Sequence, residues 1–220
     1  MVVFLCNDCR TTGALYYLDF LYAIILEKVE KIYQGEIVET ERIVLRNWQT
    51  GDEDELFHHA GNPALGNAAG WEPHKSLEHS KELLPTIFGG KETYAIVLKS
   101  SGLPVGNIEV MTEQDFHTAP LGHNEAELSY WIGEEYWGQG LVPEAAQLLI
   151  QHCFENLQLT GLWCCHYHGN LQSKRVQEKC GFQYHHSNEN ARTKTGEPRV
   201  VHLLYLSRKQ WEENRTKARG

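Results

Sequence analysis

Residues 126–157 constrain the fold of this chain most. Along residues 126–132, Glu127, Ser129 and Trp131 alternate with Leu128, Tyr130 and Ile132, the period of a strand. Then comes Glu134-Glu135-Tyr136-Trp137-Gly138-Gln139-Gly140-Leu141-Val142-Pro143-Glu144, followed by Ala145, Ala146, Leu149, Cys153 and Leu157 at the spacing of one helical face. A strand, a glycine-spaced turn and a helix over 143–157 are therefore predicted in that order. Glycine admits the tight bend and lets a ligand approach the backbone with no Cβ between them. The first N–H groups of the helix have no acceptor within it. With the positive end of the helix dipole they make an anion site suited to a pyrophosphate. Pro143 fits an early helical position, where its missing N–H costs little. The stretch lacks the ending of a Walker loop and the spacing of the GxGxxG dinucleotide pattern.

The rest of the chain sets this unit in a mixed α/β order. Strands are predicted at 42–46, 93–98, 105–111, 162–167, 182–186 and 200–206, and helices at 50–60, 76–88 and 171–179. The acidic run Gly51-Asp52-Glu53-Asp54-Glu55 suits a helix start. Ser101-Gly102-Leu103-Pro104 turns one hairpin, and Gly89-Gly90 ends the second helix although Pro85 interrupts it. Antiparallel strands come first and strand–helix–strand units later. The 220 residues carry 29 acidic and 20 basic side chains, a net charge of −9. That balance argues against a nucleic-acid clamp, which needs a basic face. Collagen, wholesale disorder and a multi-pass membrane protein are excluded by the ordinary composition.

The first 38 residues have another texture and are read as an extension of unknown role. Residues 13–26 are almost entirely apolar, but the run is too short to span a bilayer and holds Asp19. It is followed by the charged helical continuation Glu27-Lys28-Val29-Glu30-Lys31. Cys6 and Cys9 have metal-ligand spacing without a second pair. The remaining four cysteines sit in apolar or helical surroundings and are expected as free thiols in a reducing compartment, the cytoplasm. Of the twelve histidines, His58-His59, His166 with His168, and His185-His186 cluster. None has a partner at metal spacing in the sequence, and no metal is expected.

Four segments together resemble the GCN5-related N-acetyltransferases, in particular their Rim-type, ribosomal-protein branch. They are Glu39-Thr40-Glu41-Arg42-Ile43-Val44-Leu45-Arg46, Gly70-Trp71-Glu72-Pro73-His74-Lys75-Ser76, the strand from Ala126 through Gly140, and Asn170 to Phe182. The resemblance spans about residues 39–210, with the domain set at 39–215. It implies a GNAT fold: a central mixed, mostly antiparallel sheet with two splayed parallel strands, flanked by helices. It also implies acetyl-coenzyme A as cosubstrate, its pyrophosphate on the main-chain groups of Gly138, Gln139, Gly140, Leu141 and Val142. Trp137 stands where the family usually has a basic residue or Gln, and Val142 where it has Gly or Ala. The resemblance further assigns the Ile132 N–H to the acetyl carbonyl, Asn170 to the pantetheine arm or the helix cap, and Trp71 and His74 to the acceptor side.

Amine acetylation needs a proton acceptor for the amine, a polarised carbonyl and a proton donor for the departing thiolate. Glu127 matches a strand glutamate proposed as base in the family. Glu125, two residues earlier on the same face, and His123 compete with it. Many members protonate the thiolate with a Tyr, but Gln177 holds that position here. Ser173, three residues after Asn170, matches the hydroxyl that the Rim-type branch uses instead. Glu144 reads as a dipole-complementing residue of the first helical turn. The implied acceptor is a protein N-terminal amine. A small cationic amine, such as a polyamine or aminoglycoside, and a silent acyl-coenzyme A-binding module are the alternatives. No nucleic-acid or membrane partner is expected, and the chain is expected as a monomer or homodimer.

Overall fold

The computed structural model describes residues 38–86, 90–112 and 118–219. Residues 38 onward belong to one compact unit, 37–220. The Cys6/Cys9 pair, the apolar run 13–26 and the charged segment after it lie outside the described residues. The strands are β1 Val38–Glu39, β2 Ile43–Arg46, β3 Thr93–Leu98, β4 Pro104–Met111, β5 Glu125–Ile132, β6 Gly161–Tyr167, β7 Gln183–Asn188 and β8 Val201–Ser207. The helices are α1 Glu53–Ala60, α2 Pro63–Ala69, α3 Leu77–Leu83, α4 Leu141–Glu155, α5 Leu171–Lys179 and α6 Arg208–Arg219, with a 3₁₀ turn at Glu134–Tyr136. The strands form one sheet in the order β1-β2-β3-β4-β5-β6-β8-β7. Every neighbouring pair is antiparallel except β5 and β6.

The parallel pair keeps register only at Glu125↔Gly161, Ala126↔Leu162 and Glu127↔Trp163. Beyond Glu127 the two strands part, although β5 runs on to Ile132 beside β4 and β6 to Tyr167 beside β8. Gly133 N donates to Val105 O at 2.8 Å, in register with the ladder of β4 and β5. Backbone groups alternate direction along an antiparallel strand. The N–H and C=O groups of Leu128, Tyr130 and Ile132 are therefore turned away from β4 and into the gap.

Helix α4 covers one face of the sheet. Its buried residues Leu141, Val142, Ala145, Ala146, Leu149, Ile150, Cys153 and Phe154 make one stripe that packs on Ala126, Leu128, Ile132, Leu162, Cys164 and Leu206. Trp211 of α6 extends that cluster, its ring 5.1 Å from Phe154. On the other face, α1 and the segment after α3 bury Leu56, Ala60 and Leu84 with Trp48, Ala95 and Val97. Gly106 of β4 leaves no room for a side chain, since a Cβ there would lie 2.5 Å from Trp131 O and 3.0 Å from Ile132 Cα. Both neighbours are backbone of β5, so Gly106→Ala is expected to destabilise the domain by about 1–3 kcal/mol. An unchanged urea midpoint would show that the ladder can spread.

Two helices escaped the periodicity. α2 carries a cap signal instead: Asn62 Oδ1 accepts from Ala64 N at 2.8 Å, Pro63 follows, and Gly70 closes the helix at φ +76°. α6 reads as polar, and its packing is set by Trp211. The helix expected over 76–88 is shorter. Ser76 Oγ accepts from His79 N at 3.1 Å at its start, and it ends at Leu83, ahead of Pro85, which has no N–H to continue the ladder. Residues 87–89 lie outside the described residues. The four described cysteines, Cys153, Cys164, Cys165 and Cys180, are free thiols.

Candidate active site

The glycine-spaced turn forms as the strand, turn and helix pattern requires. Gly138 and Gly140 hold φ +75° and +78°, and Gly140 is the cap residue of α4. Only glycine takes that conformation without a steric cost. The turn is braced from β2: Arg42 Nη1 donates to Gln139 O at 3.1 Å, and Arg42 Nε donates to Glu144 Oε2 at 2.8 Å. Thr40 Oγ1 also donates to the Glu144 carboxylate. Glu144 thus ties the first turn of α4 to the sheet edge. Trp137 turns inward, its Nε1 donating to Ile132 O at 3.0 Å, and so closes the end of β5. The Gln139 side chain donates to Glu135 O at 2.8 Å.

A cleft of about 550 Å³ runs from this turn through the gap between β5 and β6. It is lined by Gly138, Gly140, Leu141, Val142, Trp137, Ile132, Asn170, Ser173, Glu127, Trp71 and His74. Every residue the sequence assigned to the site meets in that one cleft except Gln139, whose contribution is confined to the exposed side of the turn. The N–H groups at the start of α4, the glycines that leave them uncovered and the elongated gap fit the pyrophosphate and pantetheine arm of a coenzyme A thioester.

Glu127 stands at the vertex, the last residue of β5 in register with β6. It is 2% exposed. Its Oε2 accepts from Thr118 N at 2.6 Å and Ala119 N at 2.7 Å, and its Oε1 accepts from Cys165 Sγ at 3.0 Å. Burial and then the Glu127 charge push the Cys165 thiol far up, so Cys165 acts as a proton-bearing donor. Glu125 is locked apart from the cleft. Its Oε2 accepts from Trp163 Nε1 at 2.8 Å and Gly122 N at 2.8 Å, and its Oε1 from Tyr205 Oη at 2.7 Å. Burial raises its carboxyl, and these three bonds outweigh that and hold it below its ordinary range. His123 is exposed and does not line the cleft.

On the far wall Asn170 caps α5, its Oδ1 accepting from Ser173 N at 3.0 Å, while its Nδ2 donates to Ala68 O at 3.3 Å. The cap turns Ser173 toward the gap. Ser173 Oγ lies 2.9 Å from Tyr130 Oη and accepts from Gln177 Nε2 at 3.2 Å. Gln177 is buried, also donates to Cys165 O at 2.7 Å, and faces His166 Nδ1 at 2.7 Å through Oε1. Burial pushes the Tyr130 hydroxyl well above its ordinary value, so it stays protonated. Tyr130, Gln177 and His166 were not singled out as a network from sequence. The signal was the (i, i+4) spacing of Ser173 and Gln177, two polar residues on one helical face.

The acceptor end is aromatic. Trp71 lies 6.0 Å from the His74 ring and 6.4 Å from Trp131, measured between centroids. Asn107, Glu109 and Met111 of β4 line the same wall. They alternate with the buried Ile108 and Val110 along the strand. His74 Nδ1 lies 2.8 Å from Ser80 Oγ. Burial, then the neighbouring His79, pushes the His74 imidazole down to about 4. A histidine that resists protonation only when folded binds fewer protons than in the unfolded chain between pH 4 and its ordinary 6.5. Stability is expected to fall as pH drops through that window. His74→Asn, which retains a hydrogen-bonding partner for Ser80, should flatten that part of the urea-midpoint profile. An unaltered profile would remove His74 as a cause.

The acetyltransferase (GNAT) domain model matches residues 42–183. A Bacillus subtilis (strain 168) protein, YdaF, provisionally named a ribosomal N-acetyltransferase, is 36% identical over 66 residues, 30% of this chain and 36% of that protein's length. A second protein of that organism, the uncharacterized N-acetyltransferase YoaA, is 26% identical over 152 residues, 67% of this chain and 82% of its own length. Among solved structures, a spermidine N-acetyltransferase from Vibrio cholerae in complex with CoA and spermine aligns with a TM-score of 0.64 at 18% identity, covering 79% of this chain and 98% of that one. The domain match and the splayed strands above a glycine-opened helix lead to one assignment: the chain belongs to the GNAT family of acyl-coenzyme A-dependent N-acetyltransferases.

Proposed function

We propose that this chain transfers an acetyl group from acetyl-coenzyme A to a primary amine, with a protein N-terminal amine as preferred acceptor. One observation carries the reading: a single cleft joins the anion-binding turn of α4, the Tyr130–Ser173 pair, Glu127 and the Trp71–His74 wall. The partial likeness to YdaF supports the choice of acceptor. When bound, acetyl-coenzyme A supplies the thioester whose acetyl carbon is attacked. Gly138, Gly140, Leu141 and Val142 hold the pyrophosphate through main-chain N–H groups, so the net negative charge of the protein does not oppose binding. The Ile132 N–H, turned into the gap, polarises the acetyl carbonyl. Glu127 takes the amine proton, through water where the acceptor does not reach it, as the C–N bond forms. Ser173 gives its proton to the sulfur as the C–S bond breaks, its Oγ supported by the amide of Gln177.

A small cationic amine is the second reading. Three carboxylates, Glu72, Glu109 and Glu127, line the cleft and favour it, and the fold is shared with the Vibrio cholerae spermidine enzyme. Coenzyme release from acetyl-coenzyme A would be followed with ribosomal-protein N-terminal peptides, polyamines and aminoglycosides. Faster turnover on the peptides is the expected result. Turnover confined to polyamines or aminoglycosides would transfer the assignment to them. Coenzyme binding with no turnover on any acceptor would make the domain a silent module.

A further inference from the structure

The last turn of helix α1 carries two adjacent histidines, and the turn after β5 brings one carboxylate to both. His58 Nε2 lies 3.1 Å from Glu135 Oε1, and His59 Nδ1 lies 3.4 Å from the same oxygen. The three candidate ligand atoms all lie within 4.8 Å of one another. Bonds of about 2.0–2.1 Å to a tetrahedral zinc ion place its ligand atoms roughly 3.3 Å apart. The two separations from Glu135 match that edge length.

His59 is the telling member. Its side chain is 1% exposed, yet neither ring nitrogen has a hydrogen-bond partner. Nε2 points toward Glu55, 3.7 Å from Oε2, and the Pro104 carbonyl lies near the ring. A neutral imidazole carries its proton on one nitrogen and a lone pair on the other. With the N–H at Nε2 directed to Glu55, the Nδ1 lone pair faces Glu135 and His58. A ligating histidine is usually oriented by a carboxylate hydrogen-bonded to its second nitrogen; Glu55 is the carboxylate on that side, 3.7 Å away. Gly133 makes the approach feasible, because a Cβ there would lie 2.5 Å from His59 Nδ1.

We propose that His58 Nε2, His59 Nδ1 and Glu135 Oε1 form a three-ligand site for a divalent transition cation of the zinc class, with water completing the shell. Two imidazoles and a carboxylate are a donor set that such ions accept. The three residues do not line the cleft, whereas their chain neighbours Ala60 and Tyr136 do. The ion would fasten α1 to the turn that leads into Trp137, Gly138 and Gly140. It would thereby hold the phosphate cradle without touching the reacting groups.

The test is a zinc titration of the full chain against a chromophoric chelator. Cys6→Ser and Cys9→Ser are present in every arm, to remove the thiol pair near the start of the chain. His58→Ala and Glu135→Gln are compared with His202→Ala, which breaks another close imidazole pair, His168 Nδ1 and His202 Nε2 at 3.1 Å. Expected are one zinc ion per chain with a micromolar or tighter Kd, and affinity weakened at least about 10-fold by either site variant. His202→Ala should bind as the parent does. Zinc should raise the Tm of the parent and of His202→Ala, and not of the two site variants. His58 and Glu135 are largely exposed, so both variants are expected to fold, and circular dichroism checks this. Cobalt(II) bound to the parent should lack a thiolate charge-transfer band. Absence of stoichiometric zinc binding, or equal affinity in the parent and both site variants, would overturn the proposal. So would loss of binding in His202→Ala alone.

Discussion

Replacing Ser173 by alanine is expected to slow acetyl transfer by about 10²-fold or more on every acceptor the chain accepts. The loss should fall in kcat, with KM for acetyl-coenzyme A nearly unchanged, because the hydroxyl is needed only as the C–S bond breaks. The surroundings make this substitution informative. Gln177 Nε2 keeps its bond to Cys165 O at 2.7 Å, and Tyr130 Oη can still donate to Ser173 O at 3.2 Å. The Asn170 cap accepts from the Ser173 main chain, which alanine retains. No buried group is stranded, so the stability cost should be small and the rate should report chemistry. Tyr130→Phe is the companion. It removes the neighbour of Ser173 Oγ but leaves the serine proton, and its effect on kcat should be smaller. If Ser173→Ala turns over at the parental rate, the donor to sulfur lies elsewhere. A larger loss in Tyr130→Phe would place it on the tyrosine.

The second large effect is expected at Glu127, where a base and an anchor make different predictions. Glu127→Gln should lower turnover by about 10²-fold or more while the domain stays folded. One carboxylate oxygen already serves both Thr118 N and Ala119 N, and the glutamine oxygen can take both bonds. Its amide then faces the sulfur of Cys165, a weak acceptor. Glu127→Ala leaves the two backbone N–H groups without their acceptor, at about 1–3 kcal/mol for each that stays buried. It should unfold earlier in urea as well as lose activity. Parental turnover in Glu127→Gln together with an unstable Glu127→Ala would reduce Glu127 to an anchor for the segment around residue 118.

Much of this arrangement was legible along the chain, for local reasons. The alternation through β5, the glycines before α4 and the apolar stripe along α4 each encode one element and its orientation. Asn170 capping α5 encodes the direction in which Ser173 points. The strand expected at 93–98 and the helix at 171–179 are found with those bounds. α2 was missed because a seven-residue helix is too short for a clear period and rests on its Asn62–Pro63 start and Gly70 end. The face of β4 that carries Asn107 and Glu109 passed unremarked, since polar residues in a strand show a lining only when the cleft beside them is known.

The family resemblance supplied the candidate roles of Glu127 and Ser173; by itself the sequence determined the order of strands and helices and the glycine turn with its uncovered N–H groups. These depend on spacing over a few residues, where backbone geometry leaves few choices. The tertiary structure decided what those residues meet. It separated Glu125, fastened by Trp163 and Tyr205, from Glu127, which faces the cleft. It joined Tyr130, Ser173 and Gln177 across the parted strands. It also brought Glu135 to His58 and His59, 77 and 76 positions away in the chain. Contacts of this kind follow from how a twisted sheet stacks its helices and where two parallel strands cease to pair. Both are set by packing the whole core, which no local pattern records.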